Sequence, residues 1–214
     1  FVMGAQNTRA NDPNFEANAR EGEDAHHVPL APFLIARHEV TQAQWERLWN
    51  GDAALLRPSQ YRVGADDRRR GVVTGLHPVE QVSWPMASRL ASDHGLRLPT
   101  EAQWEYACRA GTNSPFWCGP RVEDLGPVAN LLDRTAAASV STWGQPGPFD
   151  DGAVLHWPVG SGRANAFGLH DVHGNVFEWC RERYTGYEFP TDQHSGERRG
   201  PPTSQDRCCR GGSF

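Results

Sequence analysis

Gly168-Leu-His-Asp-Val-His-Gly-Asn-Val-Phe-Glu-Trp179 is the stretch whose reading decides the fold. It packs a tight-turn signal, Gly174-Asn175, two carboxylates, Asp171 and Glu178, and two aromatics of the kind usually buried, Phe177 and Trp179, into one short run. A surface loop has no need of that apolar flank, and a core strand has no use for the acids. The mixture predicts a polar site folded against a hydrophobic wall. In a turn followed by a strand, Asp171 and Glu178 can meet one hard cation, with the backbone carbonyls of Gly174 and Val176 completing an oxygen shell. The plainer alternative has Asp171 capping a turn and Glu178 paired with one of the many arginines.

Outward from this stretch, three helices are legible. The first runs from Thr41 to Asn50: Thr41 and Gln44 make a capping box, and Trp45, Leu48 and Trp49 share one apolar face. The second starts after Ser83 as N-cap, carries Pro85 in its first turn and ends at Gly95. The third opens with Pro99-Thr100-Glu-Ala-Gln103, another capping box, and ends at Gly111, with Trp104, Ala107 and Cys108 on its buried side. After Gly111 no helix is expected. Residues 112–166 read as a long, structured loop region, and loops of that length need something to hold them, such as bound metal. Residues 1–40 read as short strands joined by a polar loop at 6–27, and 185–206 as polar and exposed.

The 214 residues suit one domain with room for a core. With a net charge of -5, nucleic acid is not the expected main partner. All 21 basic residues are arginine, which removes lysine nucleophile and Schiff-base chemistry. No apolar run reaches the roughly 18 residues of a membrane span. The chain starts at Phe1 rather than Met and stops at Gly-Gly-Ser-Phe214, so it reads as a single domain, 1–214, cut from a longer protein at both ends. Its 8 Trp, 22 Gly and 16 Pro predict a compact chain poor in regular structure.

Of the 5 cysteines, Cys108, Cys118 and Cys180 are scattered and read as buried thiols. The neighbours Cys208 and Cys209 are poorly placed to bond each other. No Cys-x-x-Cys pair exists, so a cysteine zinc site is not expected. His170 and His173 with Asp171 or Glu178 have the composition of a two-histidine, one-carboxylate iron site. Their spacing in a turn does not aim both rings at one centre, and half-exposed polar histidines are the plainer reading.

Six blocks, in order, then add up to something familiar: Phe1-Val-Met-Gly4, Glu39-Val-Thr-Gln-Ala-Gln-Trp45, His77-Pro-Val-Glu-Gln-Val-Ser-Trp84, Arg97-Leu-Pro-Thr-Glu-Ala-Gln-Trp-Glu-Tyr-Ala-Cys-Arg-Ala-Gly111, the Gly168–Trp179 stretch and Arg210-Gly-Gly-Ser-Phe214. The series resembles the sulfatase-modifying factor family, that of the formylglycine-generating enzymes. The resemblance implies an α+β domain of low regular content, similar to C-type lectins. It implies calcium at Asp171, Gly174, Val176 and Glu178, where Asp171 replaces the family's usual Asn and keeps a side-chain oxygen. It also implies a second calcium at Asn130, Leu131, Asp151 and Ala153; the alternative there is a pair of Asx turns.

In the family, two cysteines shortly after the Gly-Gly-Ser-aromatic block bind Cu(I), activate oxygen and oxidise a cysteine of an unfolded sulfatase peptide to formylglycine. Copper is therefore expected only with cysteines downstream of Phe214; Cys208 and Cys209 precede the block and do not match that pair. Ser213 matches an active-site serine, and Phe177 an aromatic wall position, with a polar turn residue and a core aromatic as their plainer readings. Cys108 matches a cysteine that is disulfide-bonded in some members. Three functions follow: a copper- and oxygen-dependent oxidase acting on cysteine in extended sulfatase-type peptides; the corresponding domain of an ergothioneine-type sulfoxide synthase; or a lectin-like binding and regulatory module. A monomer is expected.

Overall fold

The computed structural model describes residues 1–17, 19, 23–67, 71–139, 146–200 and 205–214; the expected loops at 6–27, 112–166 and 185–206 fall partly outside these. Around the helix Glu101–Arg109 (α3) the rest is organised. Thr100 caps it: its hydroxyl accepts from Gln103 N at 3.0 Å, and Gln103 Oε1 accepts from Thr100 N at 3.0 Å. Both donors would otherwise be orphaned at the first turn, so the sequence's capping box fixes where this helix starts. One face of α3 buries Trp104, Ala107 and Cys108 against Leu169, Val172, Cys180 and Cys208.

Two other helices follow their sequence signals. Gln42–Leu48 (α1) carries the Thr41–Gln44 capping box. Its Trp45 stacks on Trp49 with ring centroids 4.9 Å apart, and both pack with Leu90 from Trp84–Asp93 (α2). Each indole finds an acceptor, Leu55 O for Trp45 and Asp52 O for Trp49, as buried Trp requires. Ser83 stands at the N-cap of α2, but its side chain makes no capping bond.

Strands are short and antiparallel: Val2–Met3 (β1) with His26–His27 (β2), Asp66–Asp67 (β3) with Gly71–Val72 (β4), and Glu178–Arg183 (β5) with Arg207–Arg210 (β6). The β5–β6 pair lies against α3, and a buried charge network ties it there. Glu105 accepts from Gly4 N at 2.8 Å, Arg109 Nε at 2.9 Å and Arg210 Nη2 at 2.6 Å. Burial pushes the Glu105 carboxyl up, but Arg210 and Arg109 outweigh it and hold it below its ordinary value. Satisfied on every side, this ionised group clamps the N-terminal strand, α3 and β6 together.

Three expectations need correcting. The region after Gly111 does contain a helix, Arg134–Ser139 (α4), together with a 3-10 turn at Val122–Leu125. Six residues with only Ala136 buried are too few to show a helical period; the legible signal was Asp133, whose Oδ1 accepts from Ala136 N at 2.8 Å. The 185–206 segment is not simply exposed. Arg198 is buried, donates to the carbonyls of Tyr187 and Phe189, and lies over the Tyr187 ring. Gly196, at φ +67°, presses so close that a Cβ there would meet Ala102 Cβ at 2.7 Å. Finally, Phe177 is 58% exposed rather than a core aromatic. Strand alternation gives the reason: Glu178 takes the inward position, so its neighbour faces out.

Candidate functional site

The turn Gly174-Asn175 sits at the centre of the site. Both residues have positive φ, +85° and +62°, as the sequence signal requires. A Cβ at position 174 would stand 2.1 Å from Asn130 O, so only glycine lets the turn dock on the Asn130 backbone. Asn175 is fully buried and makes a bond with each strand of chain around it. Its N–H donates to Asn130 O at 2.6 Å, its Nδ2 to Glu39 Oε2 at 2.8 Å, and its Oδ1 accepts from Trp157 N at 2.7 Å. Its carbonyl accepts from Phe214 N at 3.3 Å.

Three carboxylates gather beside this turn. Glu178 is raised to about 7, first by burial, despite a hydrogen bond with Trp104, and then by Asp171. Glu39 is raised well above its ordinary value by burial, then by Glu178 and Asp171. Asp171 is also raised by burial, although it accepts from Gly160 N at 2.5 Å and Gly162 N at 3.2 Å. Those two bonds tie Asp171 to the Gly160–Gly162 loop rather than to a turn of its own. Nor does Glu178 follow its plainer reading: among the described residues it makes no ion pair with arginine. Glu39 was missed by sequence reasoning. It lies at the head of the Glu39–Trp45 block, but nothing local showed that Asn175 would draw it in from so far along the chain.

Burial raises all three; neighbouring carboxylates raise Glu39 and Glu178 further, whereas His170 and His38 pull Asp171 down, and no arginine stands among these causes. That is the electrostatic state a bound cation relieves. Glu39 Oε1 is buried without a partner, and the carbonyls of Gly174 and Val176 accept no hydrogen bond among the described residues. Within those residues no three side chains of His, Cys, Asp or Glu come together as a metal site, so a cation here would rest on at most two carboxylates and on backbone carbonyls. The donor set is all oxygen, which fits a hard cation and not a soft one.

The second set is arranged differently. Asn130 bridges to Gly174, which joins the two candidate sites through one backbone contact. Asn130 Nδ2 donates to Leu155 O at 2.9 Å. Asp151 Oδ1 accepts from Ala153 N at 2.8 Å, an Asx turn. Leu131 packs beside Leu125, Val128 and Ala129. The acid at the centre of this loop is Asp133, fully buried, which accepts from Asp151 N at 2.7 Å and caps α4.

His170 and His173 point apart. His170 Nδ1 bonds Gly162 O at 2.8 Å and its ring lies 4.8 Å from that of His38. His173 sits against Cys108, with Nε2 3.9 Å from Sγ, and accepts from Trp117 N. Burial pushes the Cys108 thiol up to about 12 and the His173 imidazole down to about 4. That pair is neutral and packed, not an activated thiolate.

Phe177, Trp179, Cys209, Ser213 and Phe214 line a cleft of about 1440 Å³ together with Glu39 and Glu178. The carboxylate cluster therefore abuts the wall formed by the chain's last described residues.

Across all 214 residues the chain matches the model of the sulfatase-modifying factor enzyme 1-like domain. The chain belongs to this family. It is 34% identical over 194 residues to the formylglycine-generating enzyme of Thermomonospora curvata, which covers 87% of this chain and 54% of that protein. To the mouse formylglycine-generating enzyme it is 36% identical over 189 residues, 87% of this chain and 43% of that protein. It is also 32% identical over 216 residues to a protein named serine/threonine-protein kinase pkn1 from Chlamydia caviae, covering 94% of this chain and 31% of that one. The chain thus spans between about a third and about half of these relatives. Among solved structures, PvdO from Pseudomonas aeruginosa superposes with a TM-score of 0.65 at 26% identity, over 100% of this chain and 78% of that one. The Treponema denticola variable protein 1 gives a TM-score of 0.65 at 23% identity, over 99% of this chain and 83% of that one, a likeness of fold. The α+β fold of low regular content is that of the family.

His156, one of the buried residues beside Phe214, offers a check on the packing of this region. It is 1% exposed, neither ring nitrogen has a partner, and Tyr61, His77 and Phe214 surround it. Burial, then His77, depresses it to about 4. Its folded value lies below its unfolded one, so the unfolded chain takes the proton first, and stability falls as pH drops from about 6.5 towards 4. His156→Leu removes that contribution. Between pH 7 and pH 5 the variant should lose about 1–2 kcal/mol less stability than the parent, measured by urea unfolding; an equal loss in both would show that His156 is protonated in the folded state.

Proposed function

We propose that this domain works as a formylglycine-generating-enzyme-like oxidoreductase module, with calcium bound structurally at the turn and an extended cysteine-containing peptide of sulfatase type in the cleft. One observation carries the reading. The strand whose first residue is Glu178 has Phe177 just before it and Trp179 just after, so a single element supplies both the carboxylate and the cleft wall. Asp171 and Glu178, with the carbonyls of Gly174 and Val176, would hold the calcium, and Glu39 adds its charge beside them. The effect of the calcium is to stabilise charge where the fold has buried three acids, and so to fix β5 and the aromatic wall it carries.

The residues present set the limits of the chemistry. Phe177, at 58% exposure, offers a peptide a flat apolar face, and Ser213 a hydroxyl at the cleft's edge. No described thiol pair faces the cleft: Cys180 and Cys208 are buried in the core, and Cys209 alone lies on its wall. These residues do not fit Cu(I), which prefers paired soft thiolates, and no copper step is assigned to them. Asn130, Leu131, Asp151 and Ala153 are proposed as a second calcium site, where Asp151 Oδ1 also serves an Asx turn.

One specific observation favours a second reading. A relative named as a protein kinase shares this domain over 31% of its length, which suits a binding or regulatory module in which calcium is purely structural.

Two measurements separate these outcomes. Glu178→Gln keeps the shape and removes one buried charge. In chelator the variant should melt at or above the parent temperature, and it should lose the upward shift of several degrees that calcium gives the parent. A parent whose melting temperature ignores both calcium and chelator contradicts the metal assignment. The second measurement incubates the full-length protein with a cysteine peptide under oxygen and reads the product by mass. An aldehyde in place of the thiol supports the oxidase, whereas calcium-dependent stability with an unchanged peptide supports the binding module.

A further inference from the structure

The odd distribution of cysteines acquires a meaning once β5 and β6 are paired. Trp179 stands opposite Cys209 and Glu178 opposite Arg210. One step further along both strands lie Cys180 and Cys208. They take the core side of the sheet, 0% and 4% exposed, in one cluster with Trp104, Ala107 and Val172. Cys209, of opposite parity, is exposed and turns to the cleft. The register shifts between Trp179 and Arg183, so the two are neighbours on adjacent strands rather than a regular facing pair; adjacent strands lie about 4.7–4.9 Å apart, and a disulfide spans Cα atoms roughly 4.4–6.8 Å apart.

We propose that Cys180 and Cys208 are a cross-strand redox pair, closed to a disulfide when the chain folds in an oxidising environment and held as two packed thiols in a reducing one. In the reaction one thiolate attacks a low-molecular-weight disulfide such as oxidised glutathione, forming a mixed disulfide and releasing one small thiol. The second thiolate attacks the protein sulfur of that mixed disulfide and releases the other. The protein gives up two electrons and two protons, and the small disulfide is reduced to two thiols.

Packing decides when this can happen. In the folded chain both thiols are shut away from solvent, and Cys208 and burial push the Cys180 thiol far up, so Cys180 offers no thiolate and no reagent reaches Cys208. Oxidation therefore belongs to folding, before β6 closes on β5, and once made the bond is shielded from reductant. What it would secure is specific. A sheet of two strands is marginal by itself, and this one carries Glu178 at one end and leads through Arg210 to Ser213 at the cleft. The bridge would fasten β6 to the strand that holds the acid.

Refolding the protein with excess oxidised glutathione, and in parallel with dithiothreitol, tests this directly. Alkylation and digestion without reduction should show one intramolecular bridge between the peptides of Cys180 and Cys208, with reactive thiols falling from 5 by two. The oxidised form should melt about 5–10 °C above the reduced one, and dithiothreitol in denaturant should abolish the difference. Cys209→Ser should keep both the bridge and the shift; Cys180→Ser and Cys208→Ser should lose both. Should either of those two fail to fold, the peptide map of the parent and of Cys209→Ser decides alone. Five free thiols after oxidative refolding, or a bridge through Cys209 or Cys108, overturns the proposal.

Discussion

The side chain of Asn175 is the constraint on which the site depends. A buried amide must satisfy both its oxygen and its nitrogen, and this one does so with chain segments that have no other reason to meet. Trp157 N, Glu39 Oε2 and the Asn130 amide are all within its reach. Its own backbone, held at φ +62°, donates to Asn130 O and accepts from Phe214 N. A chain with so little regular structure cannot rely on ladders of repeated hydrogen bonds. It uses single polar residues as junctions, and each junction is unforgiving because an unmet buried donor costs about 1–3 kcal/mol.

Two clusters of buried charge flank this junction and are built on opposite principles. Around α3, Glu105 meets Arg109, Arg210 and the Gly4 N–H, and its charge is fully answered. Beside the turn, Glu39, Asp171 and Glu178 have amide donors, an indole and, at Asp171, the His170 and His38 imidazoles, but no arginine. The first cluster is complete as it stands and serves the fold. The second is incomplete in charge, and a protein that places acids together at the cost of desolvating them needs a positive partner or must hold them neutral. The neighbouring cleft gives that incompleteness a purpose, because Phe177, Trp179 and Ser213 are positioned by the same turn and strand.

Much of this was legible in the sequence, for identifiable reasons. Thr41–Gln44 and Thr100–Gln103 specified helix starts because a capping box is local chemistry, complete within four residues. Gly174-Asn175 specified a turn because few residue pairs accept positive φ. The family blocks gave the fold class. What stayed hidden depended on contacts distant in sequence. Glu39 belongs to the acidic cluster only because Asn175 reaches it. Phe177 faces outward only because Glu178 takes the inner side of β5. Arg198 is buried only because Tyr187 and Phe189 turn their carbonyls toward it, and α4 was too short for any period to register. Cys180 and Cys208 share one core cluster only because β5 and β6 pair, which spacing alone could not reveal.

The central claim is that the Asn175 turn brings Asp171, Glu178 and the carbonyls of Gly174 and Val176 together as a site for a hard cation. Terbium luminescence tests it most directly, because Tb³⁺ takes calcium's oxygen ligands and the Trp104 indole bonded to Glu178 can sensitise it. Titrating Tb³⁺ into the chelator-treated protein while exciting tryptophan should give saturable emission that calcium displaces and that Glu178→Gln strongly weakens. Emission that never saturates, or that Glu178→Gln leaves unchanged, would contradict the account.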